Sequence, residues 1–155
     1  MNLENKLAKS QTAFENWKTV PITEKQKLLQ KLASLLEKDA EKFGKIITQE
    51  MNKPITQSIS EVQKCALMTR YYAEAENILK PEKIKTEFRV SEIHSVPKGV
   101  ILGVMPWNFP FWQALRFAVP AILAGNTIVL KHASICFGSG NMIEKLFLKA
   151  GFPKE

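Results

Sequence analysis

Two cysteines and two histidines in 155 residues leave little material for a metal centre or a disulfide framework. Cys65 and Cys136 lie far apart and match no zinc spacing, so both read as small buried residues of a reducing compartment. Acidic residues are in deficit, with 15 Asp and Glu against 22 Lys and Arg, giving a formal net charge of +7. Most charges of both signs interleave at helical spacing before Ile93. That pattern describes solvated helix faces, so no nucleic-acid partner is expected. An uninterrupted apolar run is also lacking. Residues 100–130 carry one charge, Arg116, but Pro106, Asn108, Pro110, Gln113, Pro120, Gly125 and Asn126 break the stretch into soluble-fold pieces. Backbone left unpaired at those prolines would be costly in lipid, so no membrane span is expected. The first residues lead into an amphipathic helix rather than an apolar leader, and the expected location is the cytoplasm. Repeats and low-complexity segments are absent.

What is present is a globular composition, 45% hydrophobic and 24% charged, long enough for one ordinary core. Helical periodicity fills the first half. Residues 3–20 place Leu7, Phe14 and Trp17 on one side, and Pro21 breaks that helix. Thr23 with Gln26 reads as a capping box for a second helix over residues 24–37, with a stripe of Leu28, Leu29, Leu32, Leu35 and Leu36. Asp39 is the expected N-cap of a third helix carrying Phe43, Ile46, Ile47 and Met51 on one face. Gly44 inside it costs about 1 kcal/mol against alanine. Asn52-Lys53-Pro54 ends that helix, and a fourth spans residues 54–79 with Ile55, Ile59, Val62, Ala66 and Tyr72 inward. Residues 85–95 alternate as an exposed strand or hairpin arm, an edge that needs covering.

The organising stretch follows. Val100-Ile101-Leu102-Gly103-Val104-Met105 reads as a strand buried on both faces. Pro106-Trp107-Asn108-Phe109-Pro110 stops it, with Pro110 suited to the first position of a helix. That helix runs over residues 111–124 to a left-handed stop at Gly125-Asn126, and Thr127-Ile128-Val129-Leu130 forms a second strand ending at Lys131. Strand, helix and strand of these lengths imply a parallel pair with a right-handed crossover. Ligands of such sheets gather beyond the carboxyl ends of the strands, where Asn108 and Lys131 both fall. A last helix is expected over residues 135–150; Phe137-Gly138-Ser139-Gly140 at its start is too short for a dinucleotide fingerprint. Taken alone, an Asn between two prolines, as Asn108 is, is more often the Asx residue of a turn, and Trp107 reads nearly as well as a half-buried aromatic at a strand end.

These residues resemble the aldehyde dehydrogenase family, NAD(P)-dependent enzymes that oxidise aldehydes to acids. The resemblance rests on Pro106 to Pro110, Pro120 to Gly125, Asn126-Thr127 and Leu130-Lys131. Glu50-Met51-Asn52-Lys53-Pro54, Tyr71-Tyr72-Ala73-Glu74 and Lys131-His132-Ala133 look like its succinate-semialdehyde branch. It covers the amino-terminal part of the family pattern; the segments with the nucleophilic cysteine, the general-base glutamate and the pyrophosphate-receiving turn are not in this chain.

The implied fold is α/β. An amino-terminal helical part (residues 1–82) and an edge-strand oligomerisation element (83–95) precede the opening βαβα of a doubly wound NAD(P)-binding domain (96–155). The resemblance makes Asn108 the oxyanion donor to the tetrahedral intermediate. It makes Trp107, Lys131 and Ser134 cofactor contacts, Lys131 at the adenosine ribose. Ser134 stands where strict NAD users often carry a glutamate. A serine neither binds the ribose 2′-OH as a carboxylate does nor repels a 2′-phosphate, so NADP is allowed beside NAD. No metal is implied. Cys136, at a helix start, has a position that favours a thiolate but no base beside it.

Three functions follow. The chain is the inactive piece of a succinate-semialdehyde-type dehydrogenase, one half of a split dehydrogenase completed by a carboxyl-terminal chain, or a non-enzymatic interaction module. The partners implied are a small aldehyde and other copies of the chain in a homo-oligomer.

Overall fold

The computed structural model describes residues 3–154. The first half of the chain is helical: α1 (Leu3–Trp17), α2 (Ile22–Lys38), α3 (Ala40–Met51) and α4 (Ile55–Glu74). Two short strands, β1 (Glu82–Lys83) and β2 (Glu92–Ile93), pair antiparallel. Then come β3 (Val100–Val104), α5 (Pro110–Leu123), β4 (Thr127–Lys131), a 3-10 turn (Ser134–Cys136) and α6 (Phe137–Ala150).

The expected parallel pair is present: Val100 lies opposite Thr127 and Val104 opposite Lys131, with α5 as the crossover. Pro110 is the first residue of α5, and Gly125, at φ +94°, turns the chain into β4. Asn126 holds the unit closed at its amino end. Its Oδ1 accepts the N–H groups of Lys98 (2.7 Å) and Gly99 (3.2 Å), and its Nδ2 donates to the Ala121 carbonyl.

Below the sheet, α2, α3 and α4 pack together, α5 lies on α4, and α6 lies against α2, α3 and α5. One core runs through both halves of the chain, from Leu29, Leu32, Leu36, Phe43 and Val62 to Phe111, Leu115 and Ile143. Trp17 joins it and donates its indole N–H to the Ile122 carbonyl at 2.9 Å.

Several sequence expectations are corrected. β3 is covered on one face only. Gly103 packs under the Phe117 ring of α5, whereas Leu102 and Val104 point the other way and are 63% and 64% exposed. Alternation along a strand allows no other result when helices lie on one side. Leu7 and Ile55 are exposed rather than inward. α1 ends at Trp17, ahead of the bend enforced by Pro21.

The capping box does not form. α2 starts at Ile22, the N–H groups of Glu24 and Lys25 bond the Pro21 carbonyl, and Gln26 donates instead to the carbonyl of Ala75. That bond occupies Ala75 where α4 stops, five residues before its expected end, and the chain turns through Asn77 at φ 64°. Asp39 does precede α3, but its carboxylate makes no cap bond and lies 3.6 Å from Lys149. The 85–95 arm is irregular apart from β2, and its Phe88, Val90 and Ile93 are exposed.

Candidate functional site

The register of β3 against β4 brings the two strand ends together. Val104 and Lys131 are partners, and the Met105 N–H donates to the Lys131 carbonyl at 3.0 Å. Trp107 and Asn108 leave the end of β3; Lys131 and Ser134 leave the end of β4. All four predicted residues therefore sit at the carboxyl end of the sheet, and all four are exposed. Ser134 lines a cavity of about 750 Å³ that runs along β4 between α1 and α6; Asn108, Trp107 and Lys131 do not line it.

The turn carrying Asn108 is held by groups distant in sequence. Glu61 of α4 is 4% exposed, and its Oε1 accepts the N–H groups of Phe111 (2.9 Å) and Trp112 (3.0 Å) at the start of α5. Its Oε2 pairs with Lys53 Nζ at 2.5 Å. A carboxylate is well placed there, since the first N–H groups of a helix have no partner within it and carry its positive end.

His132 closes the other side. Ala133 N–H donates to its Nδ1, so the proton sits on Nε2, which donates to the Pro110 carbonyl at 2.9 Å. Cys136 Sγ lies 3.5 Å from the Trp107 carbonyl and 3.7 Å from Met51 Sδ.

A second glutamate repeats the device at α6. Glu50, near the end of α3, accepts the N–H groups of Gly138 and Ser139 and the Ser139 hydroxyl. A Cβ at Gly138 would stand 2.8 Å from Glu50 Oε1, so a larger residue there would shift the carboxylate.

Comparison with known proteins adds the family. The model of the Aldehyde dehydrogenase family matches residues 1–155. The chain belongs to the aldehyde dehydrogenase family.

Against the probable succinate-semialdehyde dehydrogenase [NADP(+)] of Synechocystis sp. it is 45% identical over 150 residues, covering 96% of this chain and 33% of that protein. Against the Escherichia coli succinate semialdehyde dehydrogenase [NAD(P)+] Sad it is 39% identical, covering 99% of this chain and 33% of the relative. The crystal structure of succinic semialdehyde dehydrogenase from Streptococcus pyogenes, in complex with NADP+, superposes with a TM-score of 0.93 at 35% identity. That match covers 97% of this chain and 34% of that one. The chain thus spans about a third of the length of these aldehyde dehydrogenases.

Within this aldehyde dehydrogenase chain neither cysteine has the surroundings of a nucleophile. Burial pushes the Cys136 thiol up from its ordinary value, and the charges of Glu50 and Glu61 push the same way. The favourable dipole expected at a helix start is outweighed, because Cys136 is fully buried and Glu50 already occupies the N–H groups of α6. Cys65 is raised further by burial, with Glu61 adding to it. No cluster of three or more His, Cys, Asp or Glu able to hold a metal occurs among the described residues. No described helix is long and apolar enough to cross a membrane.

Sequence reasoning missed Glu61, Glu50 and His132. Glu61 left one readable signal: it falls within the inward stripe of α4, between Ser58 and Cys65. A carboxylate at a core position must find donors. Glu50 and His132 stand in stretches that carry the family resemblance, but nothing local assigns their contacts, whose partners lie 88 and 22 residues away.

Proposed function

We propose that this chain supplies the oxyanion-donor and adenosine-side part of an NADP-using succinate-semialdehyde dehydrogenase site, and that it does not turn over aldehyde by itself. The single observation that carries the reading is the pairing of Val104 with Lys131, which sets Asn108 and Lys131 at one end of the sheet. An uncharged amide with two N–H donors suits a developing oxyanion, and removing such a donor costs roughly 10²–10³ in turnover.

The residues present fit one half of the cofactor. Lys131 and Ser134 would take the adenosine ribose, with Trp107 beside them, and serine leaves room for a 2′-phosphate. They do not fit its pyrophosphate, because the starts of α5 and α6 are filled by Glu61 and Glu50. Bound NADP would accept hydride from the substrate. The nucleophile and base come in this reading from the part of the family pattern beyond the third spanned here, in a longer polypeptide or a complementing chain. The assembly is cytoplasmic. The exposed apolar residues of the 83–95 element, Phe88, Val90 and Ile93, serve as its contact between copies.

The test is a titration and an assay. Calorimetry should find NADP binding to the isolated chain no tighter than about millimolar, equivalent to about 4 kcal/mol. The isolated chain should form no NADPH from succinate semialdehyde. Mixing with the carboxyl-terminal two-thirds of the Synechocystis relative should restore turnover that Asn108→Ala abolishes. Micromolar NADP binding, or Asn108-dependent turnover by the isolated chain, would overturn the reading.

A further inference from the structure

Asn108 carries a side-chain amide that nothing in its turn takes up. Before it, the Trp107 carbonyl faces the Cys136 thiol at 3.5 Å. After it, the Phe109 ring lies under Lys53 Nζ, 3.8 Å from the centroid. Beyond that, the Pro110 carbonyl takes the His132 N–H, and Phe111 and Trp112 give theirs to Glu61. Asn108 itself is exposed and, among the described residues, its amide has no hydrogen-bond partner. An Asx turn would spend that amide on its own backbone. Here the backbone is fixed by other groups and the amide is kept for something outside.

Lys53 and Glu61 stand at the centre of this arrangement. Their side chains are 10% and 1% exposed, so the pair is almost wholly out of water. Breaking such a pair leaves one uncompensated charge, which makes its geometry stiff. Glu61 fixes where α5 begins; Lys53, placed just after the left-handed Asn52 that ends α3, adds the cation that caps the Phe109 ring. Together they tie the end of α3 and the first half of α4 to the residues on the carboxyl side of Asn108.

We infer that Lys53 and Glu61 are positioning residues for Asn108: a buried ion pair of the helical part sets the direction in which the free amide points. The inference rests on reading Asn108 as the oxyanion donor, and its test is separable from that reading. In the full ¹⁵N-labelled chain, Lys53→Met keeps the stem and removes the cation. It should shift or broaden the Asn108 side-chain NH₂ signal. It should also speed amide exchange at Phe111 and Trp112 at least about tenfold, while Leu29 and Leu36 in α2 keep their protection. Glu61→Gln, which keeps an oxygen for both N–H groups, should produce a smaller change at the same three residues.

An unchanged Asn108 signal in Lys53→Met would overturn the inference. So would exchange that rises equally at Leu29 and Leu36, since that marks a merely stabilising pair. If Glu61→Gln fails to fold, Lys53→Met decides alone. In the reconstituted assembly, Lys53→Met should lower kcat by about ten- to a hundredfold with KM for NADP unchanged. There Asn108→Ala tests the donor itself: full turnover without the amide would sink the donor reading and leave the exchange result standing.

Discussion

Both oxygens of the Glu50 carboxylate lie 3.2 Å from the backbone nitrogen of Ser139, and the Ser139 hydroxyl donates to Oε2 at 2.5 Å. With Glu61 at α5, this makes two helix starts in the sheet part filled by carboxylates of the helical part. A helix start of this kind is otherwise a ready anion site. The arrangement ties the two parts together and takes up N–H groups at both termini.

Removing that anion should be felt as lost stability. Glu50→Ala orphans the Gly138 and Ser139 N–H groups and the Ser139 hydroxyl, a cost of about 1–3 kcal/mol. Glu50→Gln, which retains an acceptor but no charge, should lose less. Urea unfolding followed by circular dichroism measures both; equal midpoints for wild type and Glu50→Ala would contradict that tie.

Helix propensity alone makes Gly44 a tolerated weakness in α3, and its packing reverses that reading. A Cβ there would meet Ile59 Cγ1 at 2.7 Å and the Ile59 backbone nitrogen at 3.1 Å. Gly44→Ala gains about 1 kcal/mol of helix propensity. It must push α3 and α4 apart, and overpacking of this sort costs about 1–3 kcal/mol. The expected outcome is a lower unfolding midpoint, opposite to the usual effect of the substitution in an exposed helix.

The thiols supply a pH test. Cys65 and Cys136 are both raised, chiefly by burial, above the ordinary value of 9.0. The folded chain therefore holds its thiol protons at pH values where the unfolded chain releases them. Their contribution to stability is complete below the ordinary thiol range and is lost as pH climbs through it towards the folded values. Stability should fall on the alkaline side, and the fall should shrink in a Cys65→Ala, Cys136→Ala double variant. Iodoacetamide at about pH 8 should label neither thiol until urea opens the fold. Rapid native labelling of Cys136 would restore it as a candidate nucleophile.

Local chemistry made the sheet unit legible. Pro110, Gly125 and the β-branched runs on either side left one arrangement, and β3, α5 and β4 lie where the residues placed them. A boundary failed where a distant side chain meets it: α4 stops at Ala75, whose carbonyl takes the amide of Gln26, 49 residues away. Burial of β3 failed because apolar content cannot tell which face of a strand will be covered, and Leu102 and Val104 were assigned a cover that the described residues do not supply. The candidate site divides the same way. The placement of Asn108 and Lys131 at strand ends was readable, whereas Lys53, Glu50 and His132 act across the fold, and Glu61 shows only as a carboxylate on the inward stripe of α4.

The Asn126 amide has a consequence in time. Its partners Lys98 and Gly99 precede it by 28 and 27 residues, and Ala121 by five. Every group needed to pair β3 with β4 therefore lies within one short span. At about 5–20 residues per second, a span of this size is synthesised in about 2–7 s. Loop closure over so few residues carries a small entropic cost. The register of the first parallel pairing is thus set by groups that all precede α6 in the chain.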